Sequence, residues 1–263
     1  MINRRHFSIG LCSSPLCAPM LANAQTNGCN SVLTAACAIN EVRANSKGTT
    51  RNFNPQETLD ALSDSDIFEQ SGVQGFDPAI KRVLTRLAEI YRVFPDFKYI
   101  NDDAAANAYA SDSSTLPDRR GTIYFGKNML TDQLGQNQYG DMVVLAICAH
   151  EFSHIKQFEA SAGFEHALRD KPCYAVELHA DFGAGFGLHR YLSKYSLPNT
   201  SLQTIGATWS SLAPSEFNKT STHGSSSQRV AAIEAGYSYA ANKPGANAER
   251  ALSDGVDYIL DSI

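Results

Sequence analysis

Two histidines four residues apart, with a glutamate between them, stand at His150-Glu151-Phe152-Ser153-His154. The spacing is H-E-x-x-H. On a helix, positions i and i+4 share a face, so both imidazoles can reach one metal ion. Glu151 lies beside them, where a carboxylate can take a proton from a water that the metal activates. The competing reading is a surface helix that carries two histidines by chance.

The elements around the motif have to hold it rigidly. After Asp141 the chain runs through Met142–Ala149, apolar nearly all round and without Gly or Pro. The pattern continues through Ile155, Lys156, Gln157 and Phe158 without a breaker, which predicts a long buried helix rather than a strand. Gly140 punctuates its start and Asp141 is the expected N-cap.

Catalytic zinc takes three protein ligands and a water. The subclass H-E-x-x-H-x-x-G-x-x-H is excluded, because Gln157 stands in place of its glycine and Ala160 in place of its third histidine. Downstream, Glu177 and Asp181 are four apart in Tyr174–Asp181, on one face of an expected helix. Glu177 can bind the ion while Asp181 accepts a hydrogen bond from a ligand imidazole, the support that zinc histidines require. Taken alone, the pair also reads as a solvated acidic face. His179 sits two positions from Glu177, roughly 200° round the helix, so the two cannot face one ion. His166 lies on a less regular segment. Both of these histidines are expected at the surface. The reading predicts one Zn²⁺ per chain, held by His150, His154 and Glu177.

This arrangement resembles the gluzincin peptidases with a Glu third ligand, and more narrowly the HtpX and CAAX-prenyl-protease family with its soluble relatives. Glu177-Leu178-His179-Ala180-Asp181 is similar to that family's Glu-x-x-Ala-Asp motif. Asn107-Ala108-Tyr109-Ala110 is similar to its strand beside the cleft, and Gly121–Gly126 with Met129-Leu130 to the strand and turn that follow. The bacterial neutral zinc metallopeptidases are similar elsewhere: Gln157 follows as in H-E-x-x-H-x-x-Q, and Thr222–Val230 resembles their His-Gly-Ser-x-x-Gln-Arg segment. The resemblance spans residues 77 to 240. It implies a zinc endopeptidase acting on a peptide or protein, with Glu151 as general base. It also implies that Asn107, Ala108 and Tyr109 lie at a strand edge that binds substrate through main-chain hydrogen bonds. The competing reading of Asn107 is a turn residue in the small, polar run Asn101–Asn107.

The developing oxyanion needs a donor. His223 is the first candidate, followed by Tyr174, Tyr139 and Arg229. His223 and Ser225 also read as a cap for a helix starting near Ser227, and Arg229 as a brace for an acidic group.

The N-terminus, Met1–Ile9 with Arg4-Arg5 and then Phe7, resembles a twin-arginine export signal. A mildly apolar stretch follows and ends in Ala22-Asn23-Ala24, an A-x-A cleavage site. The stretch is too short and interrupted to span a membrane. An exported protein, periplasmic or secreted, is expected, with residues 1–24 as signal peptide and no transmembrane segment in the mature chain. Cleavage after Ala24 removes Arg4 and Arg5 and no acid, so the formal net charge of −5 becomes −7. That balance argues against nucleic acid and anionic membrane surfaces as partners. The oligomeric state is left open. Cys29, Cys37, Cys148 and Cys173 would remain. In an oxidising compartment the favoured pairs are Cys29–Cys37 and Cys148–Cys173, the second tying the two zinc-bearing helices together. The alternative is a buried free thiol at Cys148.

Residues 25–75 are polar and read as an N-terminal extension, either loose or laid across the cleft. Residues 76–263 form the expected catalytic domain. Asp77-Pro78 opens a helix with Asp77 as N-cap, an apolar stripe from Ile80 to Phe94, and Pro95 as its stop. Phe97–Ile100 and Thr122–Phe125 read as strands, and Asp112–Arg120 as a polar loop. Gly183, Gly185 and Gly187 read as small residues for close helix packing. Helices near 227–240 and 246–262 close the domain. The fold class expected is α+β: a helix-rich, zincin-like single domain with a small sheet around a long active-site helix. A different class of function stays in play, a zinc-stabilised non-catalytic binding or structural protein of the cell envelope. Glu151 speaks against it, since that carboxylate is not a ligand.

Overall fold

The three-dimensional structure, a computed structural model, describes residues 35–37, 59, 62–103, 107–136, 140–159, 163–168, 171–172, 174–194 and 224–263. The export signal at 1–24, Cys29, Tyr139, Ala160, Cys173 and His223 lie outside the described residues, as does the side chain of His166.

The described chain is a helix-rich α+β fold with a small mixed sheet. The strands are β1 (Ala35–Cys37), β2 (Ile67–Phe68), β3 (Asp96–Ile100), β4 (Ala108–Ser111) and β5 (Thr122–Gly126). Their order across the sheet is β1-β4-β5-β3-β2, with β3 and β5 parallel and the other pairs antiparallel. The helices are α1 (Asp77–Tyr91), α2 (Lys127–Gln136), α3 (Gly140–Gln157), α4 (Phe164–Leu168), α5 (Tyr174–Ser193), α6 (Ser226–Asn242) and α7 (Ala248–Ser262). Among the described residues no helix is long and apolar enough to cross a membrane.

Helix α3 runs through the interior, as its all-round apolar pattern predicts: every residue from Val143 to Gln157 is buried. Each Leu, Ile or Phe so buried contributes about 1.5–3 kcal/mol. The alanines Ala108 and Ala110 of β4 belong to the same core as Val143, Phe152 and Ile155, so small strand residues let the helix lie close to the sheet. Its start differs from expectation. The helix begins at Gly140, and Asp141 sits inside the first turn with its carboxylate accepting from the Met142 N–H at 2.9 Å. A Cβ on Gly140 would stand 2.1 Å from the Gln133 carbonyl, so the chain enters α3 in direct contact with α2.

Helix α1 also starts one residue earlier than read. Phe76 is the N-cap, and the Asp77 carboxylate instead accepts from the Ser71 N–H at 3.0 Å and the Tyr99 hydroxyl at 2.9 Å. The helix stops at Tyr91 because Arg92 turns left-handed, with φ 55°, before Pro95 is reached. Phe94 therefore leaves the apolar stripe and is 54% exposed. The Tyr91 hydroxyl donates to the Gly183 carbonyl at 2.7 Å, and the Tyr91 ring stacks on Phe152, joining α1 to both α5 and α3.

The glycines of α5 serve packing. A Cβ on Gly185 would stand 2.0 Å from the Ile233 carbonyl of α6, and one on Gly187 would meet the Tyr91 hydroxyl at 2.2 Å. Strand β5 runs straight into α2, without the turn the resemblance implied. Asp102 holds that junction, accepting from the Asn128 N–H at 2.7 Å and the Met129 N–H at 3.0 Å.

Both outer strands come from the polar stretch 25–75. Residues Ala35–Cys37 lie antiparallel to Tyr109–Ser111, and Ile67–Phe68 to Tyr99–Ile100. The edge of β4 expected to be free is thus occupied by β1.

Candidate metal centre

Helix α3 supplies His150, Glu151 and His154, and α5 crosses it to supply Glu177 and Asp181. All five side chains are buried. The Nε2 atoms of His150 and His154 are 2.9 Å apart. Glu177 faces both, with Oε2 3.5 Å from His150 Nε2 and Oε1 3.6 Å from His154 Nε2. Among the described residues, these three form the cluster close enough to bind a metal ion. A tetrahedral ion with bonds of 2.0–2.1 Å sets its ligand atoms about 3.3–3.4 Å apart. The three separations lie on either side of that value.

The outer partners decide which nitrogen of each ring faces the centre. His150 Nδ1 donates to Asp181 Oδ1 at 2.8 Å, the role read for Asp181 from its spacing. Asp181 is itself gripped by Arg229, whose Nε donates to Oδ2 at 2.7 Å and whose second guanidinium nitrogen donates to Oδ1 at 2.8 Å. Burial works against the Asp181 charge, but Arg229 and His150 hold its carboxyl below the usual carboxylate range. His154 Nδ1 meets Gln157 Oε1 at 2.7 Å. Both rings therefore turn Nε2 inward. Two neutral imidazoles so arranged would set lone pair against lone pair at 2.9 Å, beside a carboxylate. The site calls for a cation, a metal ion or a proton, at its middle.

The proton balance of the metal-free chain agrees. Burial opposes charging of His150, but Asp181 and Glu177 overcome it and raise its pKa to about 9. His154 is lowered, by burial first, against the opposing pull of Glu177, and by the charge on His150.

Two expectations change here, those for Arg229 and His179. Arg229 is buried and holds Asp181 with its Nε and one terminal nitrogen, the brace that was its other reading. Tyr174 opens α5 and packs, half-buried, on the cluster that includes Phe164, Leu168 and Val176. Ser225 caps α6 as read, its hydroxyl accepting from the Gln228 N–H at 3.3 Å. His179 is not among the ligands, in keeping with its roughly 200° offset from Glu177, but it is buried rather than at the surface. Burial pushes its pKa down to about 4, so it is neutral.

Cys148 is a free, buried thiol, and the expected Cys148–Cys173 bridge does not form. The reason is angular. Cys148 is two residues before His150, roughly 200° round α3, so it points away from α5. Burial, then the charge of Glu151, pushes the thiol far above its ordinary range. The Cys29–Cys37 pairing lies outside the described side chains.

The Asn107 side-chain oxygen accepts from the Ala108 N–H at 2.9 Å, and its own N–H donates to Asp102 at 3.2 Å. Ala108 and Tyr109 lie in β4, Tyr109 paired with both Cys37 of β1 and Tyr124 of β5, and Ala108 with Phe125 of β5.

Gln157 was read only as part of an H-E-x-x-H-x-x-Q pattern, and its contact with His154 and that of His179 with it were not read from the sequence. The available signal was the i, i+3 spacing of His154 and Gln157, which places both on one helical face. Comparison with known proteins adds no kinship: no protein-family model, no curated protein and no solved structure matches the chain.

Proposed function

We propose that this chain is an exported zinc endopeptidase of zincin-like architecture. The observation that carries the reading is the union of H-E-x-x-H on one buried helix with Glu177 3.5–3.6 Å from both imidazoles. His150 and His154 would offer nitrogen and Glu177 oxygen to the ion, a donor set that suits catalytic zinc. Zinc held there supplies Lewis acidity, lowering the pKa of a water to about 7.

The chain's own residues do the rest. Asp181 and Arg229 fix the His150 ring. Glu151, one helical turn before His154 and one residue after His150, accepts the proton of the attacking water and returns it to the leaving amine. The oxyanion donor we assign to His223, which leads into the helix that carries Arg229, with Tyr174 behind it. An extended substrate adding to β4 meets β1 on that edge and has to displace it.

A second reading has one observation in its favour. His150, Glu151 and His154 are fully buried, which suits a metal that stabilises a binding or structural protein. Mass-spectrometric profiling of a mixed peptide library separates the two. Zinc-loaded wild type is expected to make cleavages that zinc-loaded Glu151→Gln does not. Identical, uncleaved libraries from both folded proteins would replace the peptidase with the structural reading.

A further inference from the structure

The charged brace on His150 has a neutral counterpart on His154, and its proton positions can be read from the far end inward. The Leu252 carbonyl of α7 can only accept, so His179 Nε2, 2.8 Å away, is the donor. With its proton there, neutral His179 presents a lone pair at Nδ1. The Gln157 amide nitrogen lies 2.8 Å from that Nδ1 and 3.0 Å from the Val176 carbonyl. Both are acceptors, so both amide protons are placed and the amide cannot flip. Gln157 Oε1 is thereby turned to His154 Nδ1 at 2.7 Å and accepts its proton. His154 is left with its lone pair on Nε2, the atom that faces Glu177 and His150. Every member of this relay is buried, and Phe164 lies against the His179 ring with centroids 5.3 Å apart.

We infer that Gln157 and His179 are positioning residues of the metal centre, fixing the His154 tautomer and tying the C-terminal helix to metal affinity. The inference rests on the metal reading above and extends it to residues that touch no ligand atom of the ion. Without the relay, His154 Nδ1 loses its acceptor, the ring samples the tautomer with a proton on Nε2, and that proton must move to Nδ1 before Nε2 can bind the ion.

The test uses the full chain and zinc alone, titrated against a chromophoric chelator. Long-range ¹H–¹⁵N spectra of the metal-free proteins report the tautomer of His154 directly. Gln157→Leu is expected to weaken zinc binding roughly 10–100-fold and to mix the His154 tautomers. Two substitutions at position 179 isolate the relay from packing. His179→Asn keeps an acceptor where Nδ1 stood, and is expected to hold wild-type affinity within a few-fold. His179→Gln keeps a donor for the Leu252 carbonyl but removes that acceptor, and is expected to follow Gln157→Leu. Equal affinity of the Asn and Gln variants, or an unmixed His154 tautomer in Gln157→Leu, overturns the inference. If Gln157→Leu does not fold, the pair at 179 decides alone. A wild type that binds no zinc strikes the proposed function instead, because the tautomer spectra stand without metal.

Discussion

The two faces of α3 are equally dry and chemically opposite. One turns His150, His154 and Gln157 toward α5. The other, about 180° round the helix, turns Cys148, Phe152 and Ile155 away. Ile155 reaches toward Gly121 at the sheet, where an added Cβ would stand 2.8 Å from its Cδ1, and Phe152 stacks on Tyr91. Apolar contacts carry no direction, so trimming one side chain on that face loses packing only. On the polar face each group has a particular partner at a particular distance. Removing one member leaves another buried without its counterpart, which costs more than the bond was worth.

That contrast can be broken from either side. The largest effect is expected from Glu177→Ala, which removes a ligand oxygen. Zinc affinity in a chelator competition should fall by more than the roughly 10–100-fold of an outer partner, and an unchanged affinity would move the third ligand elsewhere. Arg229→Met comes next. It strands the Asp181 carboxylate in the interior and should cost about 3–5 kcal/mol in urea unfolding. Adding Asp181→Asn, which keeps an acceptor for His150, should restore much of that loss. A double variant as unstable as the single one would mean that Arg229 acts through packing.

On the apolar face the costs shrink. Ile155→Val should lose about 0.5–1.5 kcal/mol with zinc affinity unchanged, and a matching drop in affinity would dissolve the distinction between the faces. Cys148→Ala should cost roughly 1 kcal/mol. The native thiol should resist an aromatic disulfide reagent until the chain unfolds, and prompt labelling of the folded chain would contradict its burial.

How much of this was legible follows from the range of each interaction. His150, His154, Glu177 and Asp181 were readable because helical spacing alone brings them to one face within each helix, and two such helices need only cross. The strands at Phe97–Ile100 and Thr122–Phe125 were readable from β-rich runs between polar loops. Helix ends were less so. Arg92 stops α1 by a left-handed turn, and Asp77 abandons the cap for Ser71 and Tyr99, partners set by tertiary contact. The outward direction of Cys148 was in fact present in the sequence, since its two-residue offset from His150 excludes a bridge to α5. The pairing of β1 with β4 was not, because three small residues at 35–37 carry no mark of the strand more than seventy positions away that receives them. His179 was rightly kept off the ligand set but placed in the wrong medium, since nothing local announces Gln157 and Leu252 as its partners.

The central claim is that a divalent ion, rather than a shared proton, belongs between His150 and His154. X-ray absorption at the zinc edge on the purified full chain, after loading and removal of free metal, tests it most directly. The account predicts one zinc per chain with two imidazole nitrogens and additional oxygen in its first shell, and loss of the signal in His154→Ala. A sulfur ligand, or a folded chain that takes up no zinc, would contradict it and leave the pair of imidazoles joined by a proton alone.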